Sequence, residues 1–260
     1  MSDRIDTTFA RLDGTPAFVG YMMGGDPHLG ASAELLAALP GAGVDIVELG
    51  MPFTDPAADG PTIEAAGLRS LSAGTRLDDI LDLVRGFRAT DTDTPVILMG
   101  YANPVHHRGY ARFAEQMAEA GADGAIIVDL PPEEDGELRA AFERHGLALV
   151  RLATPTTDAA RLPDVVRGTR GFVYYVSMTG ITGSGAGQSD TLEADVARVR
   201  EASGLPVVVG FGIRTPERAR EIAGVADGVV VGSAIVEAMH EGGVGAAVAL
   251  ARELADAAHG

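Results

Sequence analysis

The regular alternation of short β-branched runs with longer amphipathic stretches constrains the fold of this chain more than any other feature. Short apolar runs predict buried strands, and stretches rich in Ala, Leu, Glu and Arg predict helices. Eight strands are predicted, at residues 17–22, 45–49, 96–99, 125–128, 147–152, 172–176, 206–209 and 228–231. The helices predicted between and after them include residues 31–39, 78–88, 110–120, 133–145, 192–202, 216–223 and 235–258.

Several of these strands are apolar on both faces, as expected for a parallel sheet that is buried on both sides. Ala-Gly-x-Asp at 42–45 and again at 120–123 marks a turn from helix to strand, because glycine supplies the left-handed cap. Eight strand–helix units in about 250 residues fit a TIM barrel. A doubly wound sheet is the alternative, but no Gly-x-Gly-x-x-Gly follows the first strand. We predict an α/β fold, a single-domain (β/α)8 TIM barrel over residues 1–260.

The composition argues against several classes of function. A formal net charge of −17 would repel nucleic acid phosphates and anionic membranes. Residues 1–12 are polar and charged, and no unbroken apolar run is long enough to span a bilayer. Because cysteine is also absent, we expect a soluble, cytoplasmic protein without disulfides. The six histidines lack ligand spacing, so no metal site is predicted.

Three acids stand in a Gly/Pro-rich loop directly after the second predicted strand. Glu48 ends the strand, and Asp55 and Asp59 follow within the loop. Burying a carboxylate costs several kcal/mol unless it is paired, so acids at a strand end facing a cleft suggest acid/base chemistry. The structural alternatives are an ion pair at the barrel rim for Glu48, a turn before Gly60 for Asp59 and a cap for Asp55.

Glycine-rich loops follow the last three predicted strands. They span residues 178–187, 210–213 and 232–234. Backbone N–H groups beside glycine can approach an anion closely, and the next helix adds the positive end of its dipole. With Thr182 and Ser233 as hydroxyl donors, these loops predict a phosphate site, although the glycines could also serve only to make tight turns.

The most specific motif is Leu-Gly-x-Pro-Phe-Thr-Asp-Pro-x-Ala-Asp-Gly-Pro-x-Ile at 49–63. Thr-Gly-Ile-Thr-Gly at 179–183, Gly-Phe-Gly-Ile at 210–213 and Gly-Ser-Ala-Ile-Val at 232–236 follow in order. Together they resemble the tryptophan synthase alpha chain over nearly the whole sequence. The resemblance implies cleavage of indole-3-glycerol phosphate to indole and glyceraldehyde 3-phosphate. It also implies a tryptophan synthase beta subunit as partner in an α2β2 tetramer, with pyridoxal phosphate in that subunit and no cofactor in this chain.

This retro-aldol cleavage needs an acid at indole C3, a carboxylate near the positive charge that develops on the indole nitrogen, and a base for the glycerol hydroxyl. The resemblance makes Glu48 the proton-transfer residue and places Asp59 at the indole N–H. It assigns substrate binding to Tyr21, Ile63, Met99, Tyr101, Tyr174, Thr182, Gly183, Gly210, Phe211, Gly212, Gly232 and Ser233. Only one of Tyr174 and Tyr175 can face inward, because side chains alternate along a strand.

A few residues depart from the family's usual pattern. Thr54 stands where serine is usual, Glu64 where glutamine is usual, and Tyr21 where phenylalanine is frequent. None of these changes removes the chemistry, and Glu64 could raise the pKa of neighbouring carboxylates. We also expect residues 178–189 to form a lid over the site, because glycine recurs there.

Contact with the beta subunit is predicted at Asn103-Pro104 and Asp129. For Asp55 we expect a non-catalytic role, as a cap, in ordering the loop or in contact with that subunit. Three other interpretations of the function are left open. A free-standing lyase would have the same chemistry without a partner, and a non-catalytic subunit would only activate a beta chain. A sugar-phosphate isomerase or epimerase would share the barrel and the phosphate site.

Overall fold

The computed structural model describes residues 4–177, 186–210 and 212–260, which contain nine parallel strand segments and eleven α-helices. The strands are β1 (Ala17–Met23), β2 (Ile46–Gly50), β3 (Val96–Gly100), β4 (Gly124–Ile127), β5 (Ala148–Leu149), β6 (Arg151–Ala153), β7 (Val173–Val176), β8 (Val207–Gly210) and β9 (Gly228–Val231). The helices are α1 (Arg4–Leu12), α2 (Leu29–Ala38), α3 (Pro61–Ser72), α4 (Leu77–Arg88), α5 (Ala102–Arg108), α6 (Tyr110–Ala120), α7 (Gly136–His145), α8 (Leu162–Val166), α9 (Ala186–Ser203), α10 (Pro216–Ala223) and α11 (Ser233–His259).

The nine strand segments form eight barrel strands, because β5 and β6 are two halves of the fifth. β5 pairs with β4 and β6 pairs with β7, while the other strands follow in the order β4-β3-β2-β1-β9-β8-β7. Between the halves, the Val150 N–H donates to the Ala125 carbonyl at 3.0 Å. The predicted (β/α)8 TIM barrel is confirmed. The single strand predicted at 147–152 is wrong in detail, because the chain changes hydrogen-bonding partner there.

The barrel interior is filled by alternate residues of the strands, as their pleat requires. This inner cluster includes Val19, Ile46, Ile97, Ile126, Val150, Phe172, Val208 and Val230. Ile5 and Phe9 of α1 join it, and the Phe9 ring lies 6.2 Å from the ring of Phe172, just before β7. Helix α1 therefore covers the amino-terminal end of the barrel and leaves the carboxyl ends of the strands for a site.

A larger apolar layer lies between the strands and the outer helices and includes Phe18, Leu36, Val47, Val84, Leu98 and Phe113. Helix α3 is also anchored by charge, because the Arg69 guanidinium donates two hydrogen bonds of 2.7 Å to the Asp26 carboxylate. Asp26 is buried in the loop after β1. This bidentate pair fixes α3 beside the mouth of the barrel.

Some predicted helix bounds are wrong. The helix predicted at 133–145 begins at Gly136, and the one predicted at 192–202 begins at Ala186. Helices α1, α3, α5 and α8 are not predicted. Helices α5 and α8 have only seven and five residues, too few for a clear helical period. Helix α3 starts with Pro61, whose fixed φ suits a first helical position, but its sequence is weakly amphipathic.

Helix α11 is long and apolar enough to cross a membrane by length and composition, the one such helix among the described residues. Its backbone breaks at Gly243, where φ is 73°. Ile235, Met239 and Leu254 are buried against the rest of the barrel. This burial is typical of a core helix of a globular fold.

Candidate active site

A cavity of about 330 Å³ opens at the carboxyl ends of the barrel strands. The predicted site residues that line it are Tyr21, Glu48, Asp59, Ile63, Met99, Tyr174, Gly212, Gly232 and Ser233. They come from six strands or the segments that follow them, so the fold brings together residues far apart in sequence. Such a position is where barrel enzymes carry their chemistry.

The other predicted site residues fall into two groups. Tyr101 and Gly210 are described but are not part of the cavity wall. Tyr101 hydrogen-bonds to Asp59 and Gly210 lies against the ring of Tyr174, and both Asp59 and Tyr174 line the cavity. Thr182, Gly183 and Phe211 lie outside the described residues, as does most of the lid predicted at 178–189.

Glu48 lies on β2, opposite Tyr21 of β1 on one side and Ile97 of β3 on the other. It is 1% exposed. Within the described part of the chain, its Oε1 accepts no hydrogen bond. Burial raises the pKa of this carboxyl to about 8, because the charged form loses its hydration. Glu48 is therefore mostly protonated at neutral pH and is suited to give a proton to a bound molecule.

Asp59 stands in the loop between β2 and α3, two residues before the helix starts. Its N–H donates to the Pro56 carbonyl at 3.1 Å, which closes a turn in the loop. The pKa of Asp59 is raised, chiefly by burial and also by the negative charge of Glu64, while hydrogen bonding to Tyr101 opposes the rise. Asp59 is partly exposed and lines the same cavity as Glu48, so the two acids have different surroundings.

Tyr101 supports this loop from the end of β3. The Ala58 N–H donates to its hydroxyl at 3.1 Å, and its ring stacks on Phe53 with 5.4 Å between centroids. Both contacts lie within the segment that carries Asp59. Tyr101 thus holds the loop from outside the cavity wall.

Two tyrosine rings occupy the top of the barrel because the neighbouring strands carry glycine. A Cβ added at Gly50 would lie 2.3 Å from the Tyr21 hydroxyl, and one at Gly210 would lie 2.1 Å from the Tyr174 hydroxyl. No other residue fits without displacing these rings. Tyr174 faces the interior, whereas Tyr175 faces the helix layer and donates to Asp195 at 2.6 Å.

The segments after β8 and β9 contribute mainly backbone groups to the cavity wall. Gly212, after β8, has a φ of 72°, which side chains rarely adopt, and Gly232 and Ser233 lie where β9 ends and α11 begins. A Cβ at Gly232 would meet the Tyr21 side chain at 3.4 Å. The start of α11 carries N–H groups without helical partners and the positive end of the dipole, so this side favours an anion.

Several residues of the cavity wall are not predicted from the sequence, namely Ala58, Gly60, Pro61, Thr62, Ile213, Arg214 and Val230. Strand alternation could have identified Val230, which is two residues before Gly232. No pattern in the sequence distinguishes Arg214 from other surface arginines. Across the described residues, no group of three His, Asp or Glu side chains could hold a metal ion.

The cavity therefore combines a buried protonated carboxyl, a second acid on a loop and a helix start that favours an anion. A (β/α)8 barrel with these parts is an enzyme of the acid/base type that suits a phosphorylated substrate.

Comparison with known proteins identifies the family to which this chain belongs. The family model "Tryptophan synthase alpha chain" matches residues 9–259. A solved tryptophan synthase alpha subunit from Legionella pneumophila is 40% identical, with a TM-score of 0.92 and coverage of 99% of this chain and 98% of that one. A tryptophan synthase chain from M. tuberculosis is 37% identical, with a TM-score of 0.90 and 98% coverage of both chains.

The chain belongs to the tryptophan synthase alpha chain family. This family consists of carbon–carbon lyases that cleave indole-3-glycerol phosphate to indole and glyceraldehyde 3-phosphate in tryptophan biosynthesis.

Proposed function

We propose that Glu48 and Asp59 carry out the family's cleavage of indole-3-glycerol phosphate in this chain. One observation above all supports this assignment. The Glu48 carboxyl is buried and lines the cavity, and its Oε1 accepts no hydrogen bond from the described residues. A buried, unpaired polar group costs roughly 1 to 3 kcal/mol, which a purely structural role would not explain.

Glu48, protonated in the resting site, donates its proton to C3 of the indole. The ring nitrogen then becomes positively charged, and the Asp59 carboxylate stabilises that charge through the indole N–H. Glu48, now a carboxylate, accepts the proton of the glycerol hydroxyl next to the breaking bond. The carbon–carbon bond electrons return to the indole ring, so indole and the aldehyde leave with no net change in protons. Each proton transfer is typically worth about 10² to 10⁴ in rate.

The two ends of the cavity divide the substrate between them. The side chains of Tyr21, Ile63, Met99 and Tyr174 give an apolar wall that suits the indole ring. The phosphate lies against the backbone of Gly212, Gly232 and Ser233, where the α11 dipole favours its charge. Gly210 makes room for the ring of Tyr174, which lines the cavity. Gly183 and Phe211 are assigned to the phosphate side by family resemblance, and Thr182 both by resemblance and as a hydroxyl donor in a glycine-rich loop.

The family pairs with a beta subunit, and we assign to this chain an α2β2 assembly in which the partner holds pyridoxal phosphate. The loops that would face such a partner are held by polar contacts. Thr54 Oγ1 donates to Asp55 at 2.5 Å, and Asp129 accepts the Ala102 N–H at 2.7 Å, which caps α5. The family is soluble, and the absence of cysteine and the acidic charge fit the cytoplasm.

The deciding experiment is steady-state cleavage of indole-3-glycerol phosphate by the wild type, Glu48→Gln and Asp59→Asn, each with and without a beta subunit. We expect slow wild-type turnover that rises strongly with the partner, and a loss of about 10² or more in kcat for both variants. Glu143→Gln makes the same acid-to-amide change at an exposed site on α7 and serves as the control.

Three outcomes would contradict the proposal in different ways. Fast cleavage without the partner would indicate the free-standing lyase. Stimulation of a beta subunit by both inactive variants, with no cleavage by the wild type, would indicate a non-catalytic activator. Turnover of other sugar phosphates, with indole analogues binding no better than glycerol phosphate, would indicate an isomerase or epimerase.

A further inference from the structure

One side chain in the cavity wall has no part in the scheme above. Arg214 follows Ile213 in the loop between β8 and α10, and it is the only basic residue among the described residues that line the cavity. The two ionisable acids in the same wall are Glu48 and Asp59, in a chain with a formal net charge of −17. A dianionic phosphate entering this cavity therefore meets a single described cation.

Arg214 is held beside the backbone groups of the phosphate side. Its Nη1 donates to Glu237 Oε2 at 2.6 Å, and Glu237 lies one turn into α11, which begins at Ser233. The two side chains are 50% and 40% exposed. The contact therefore leaves much of the guanidinium accessible and places it close to the helix start, where Gly232 and Ser233 line the cavity.

The geometry points to Arg214 as a phosphate-binding residue of this chain, with Glu237 as the residue that positions it. The inference rests on the proposed function for the identity of the substrate. The guanidinium adds a charge-assisted interaction to a site otherwise made of backbone N–H groups. It also offsets the negative charge of Glu237, which would otherwise repel the phosphate near the start of α11. Arg214 thereby raises affinity for the phosphorylated end of the ligand without taking part in proton transfer.

The test compares Arg214→Ala with the wild type in two assays. In steady-state cleavage of indole-3-glycerol phosphate, we expect KM to rise about five- to tenfold while kcat changes less than twofold. In calorimetric titration, glycerol 3-phosphate should bind about five- to tenfold more weakly, whereas indole should bind with unchanged affinity. Arg214→Lys keeps the charge but loses the planar fork, so it should recover part of the loss.

Arg218→Ala is the matched control. Arg218 pairs with Glu221 within α10 and does not line the cavity, yet its removal changes the net charge by the same amount. Equal weakening in both alanine variants would mean a general charge effect and would overturn the inference. So would unchanged binding of glycerol 3-phosphate by Arg214→Ala. If the wild type binds glycerol 3-phosphate but cleaves nothing, the proposed function fails while the titration still tests Arg214.

Discussion

Tyr21 and Glu48 are direct partners across the β1–β2 pairing, and both line the cavity at the top of the barrel. The tyrosine ring covers Gly50, two residues beyond Glu48 on the same strand. The Glu48 carboxyl is buried, and its Oε1 has no donor among the described residues. The same burial raises the pKa of both side chains, since each would lose hydration on ionising.

The first prediction concerns the alkaline limb of the pH profile. With its pKa raised to about 8, Glu48 is protonated below that pH and loses the proton above it. If the protonated form starts the reaction, kcat/KM falls about tenfold per pH unit above pH 8, because this ratio reports the free enzyme. Measurement of kcat/KM between pH 6 and 10 checks it. A rate that stays level up to pH 10 would remove Glu48 from the role of initial acid.

The second prediction concerns Glu64, the departure from the family pattern in the first turn of α3. Its charge raises the pKa of Asp59, and Asp59 must be ionised to stabilise a positive indole nitrogen. Glu64→Gln should therefore shift the acid limb of kcat/KM to lower pH and leave the plateau nearly unchanged. The control is Glu119→Gln, which removes the same charge from an exposed position on α6. An acid limb that moves equally in both variants would indicate a general charge effect.

The third prediction concerns Tyr101, whose substitution should shift the acid limb of kcat/KM in the opposite direction. Tyr101→Phe removes the hydroxyl that lowers the pKa of Asp59 and accepts the Ala58 N–H, so the acid limb should move to higher pH. Losing the loop hydrogen bond costs about 1 kcal/mol, or roughly a fivefold drop in kcat/KM on the plateau. Tyr110→Phe, on α6, keeps the ring contact with His106 and should leave both quantities unchanged. A Tyr101→Phe profile that superimposes on the wild type would contradict the proposed support.

The barrel and most of the cavity wall can be predicted from the sequence because both depend on local patterns. Strands that are apolar on both faces, such as β2 and β8, are found within one residue of their true bounds. Glu48 and Ser233 are found because each lies near the carboxyl end of a strand. A site assembled at the carboxyl ends of parallel strands follows once those strands are placed.

Features that depend on contacts between residues distant in sequence cannot be predicted from local patterns. The break at Val150 reflects a change of hydrogen-bonding partner from β4 to β7, which no local pattern encodes. Arg214 lines the cavity wall, and its guanidinium pairs with Glu237, 23 residues away. The pKa of Glu48 likewise depends on burial by other strands, and only the fold provides that burial.

The fourth prediction concerns stability at the amino-terminal end of β2, whereas the cavity opens at the carboxyl ends of the strands. Asp45, just before β2, contacts His259 Nε2 at 2.7 Å and Arg11 at 2.8 Å and accepts the Phe18 N–H at 3.0 Å. His259 ends α11, so this cluster ties the last helix to the barrel. Asp45 is buried, whereas His259 is 30% exposed and Arg11 more so.

The hydrogen bond to Asp45 raises the pKa of His259 above its usual 6.5. The stability that this contact contributes is therefore fully present below pH 6.5 and is lost as the pH rises through the raised pKa. Although burial opposes it, hydrogen bonding to His259, Phe18 and Arg11 lowers the pKa of Asp45 below 3.8, so that contribution is lost in acid. His259→Gln should thus cost about 1 kcal/mol in unfolding free energy at pH 5 to 6, and less at pH 9. Urea unfolding at these pH values measures the difference, with His240→Gln, exposed on the same helix, as control. A cost for His259→Gln that is the same at pH 5.5 and pH 9 would mean that the contact does not depend on the charge of His259.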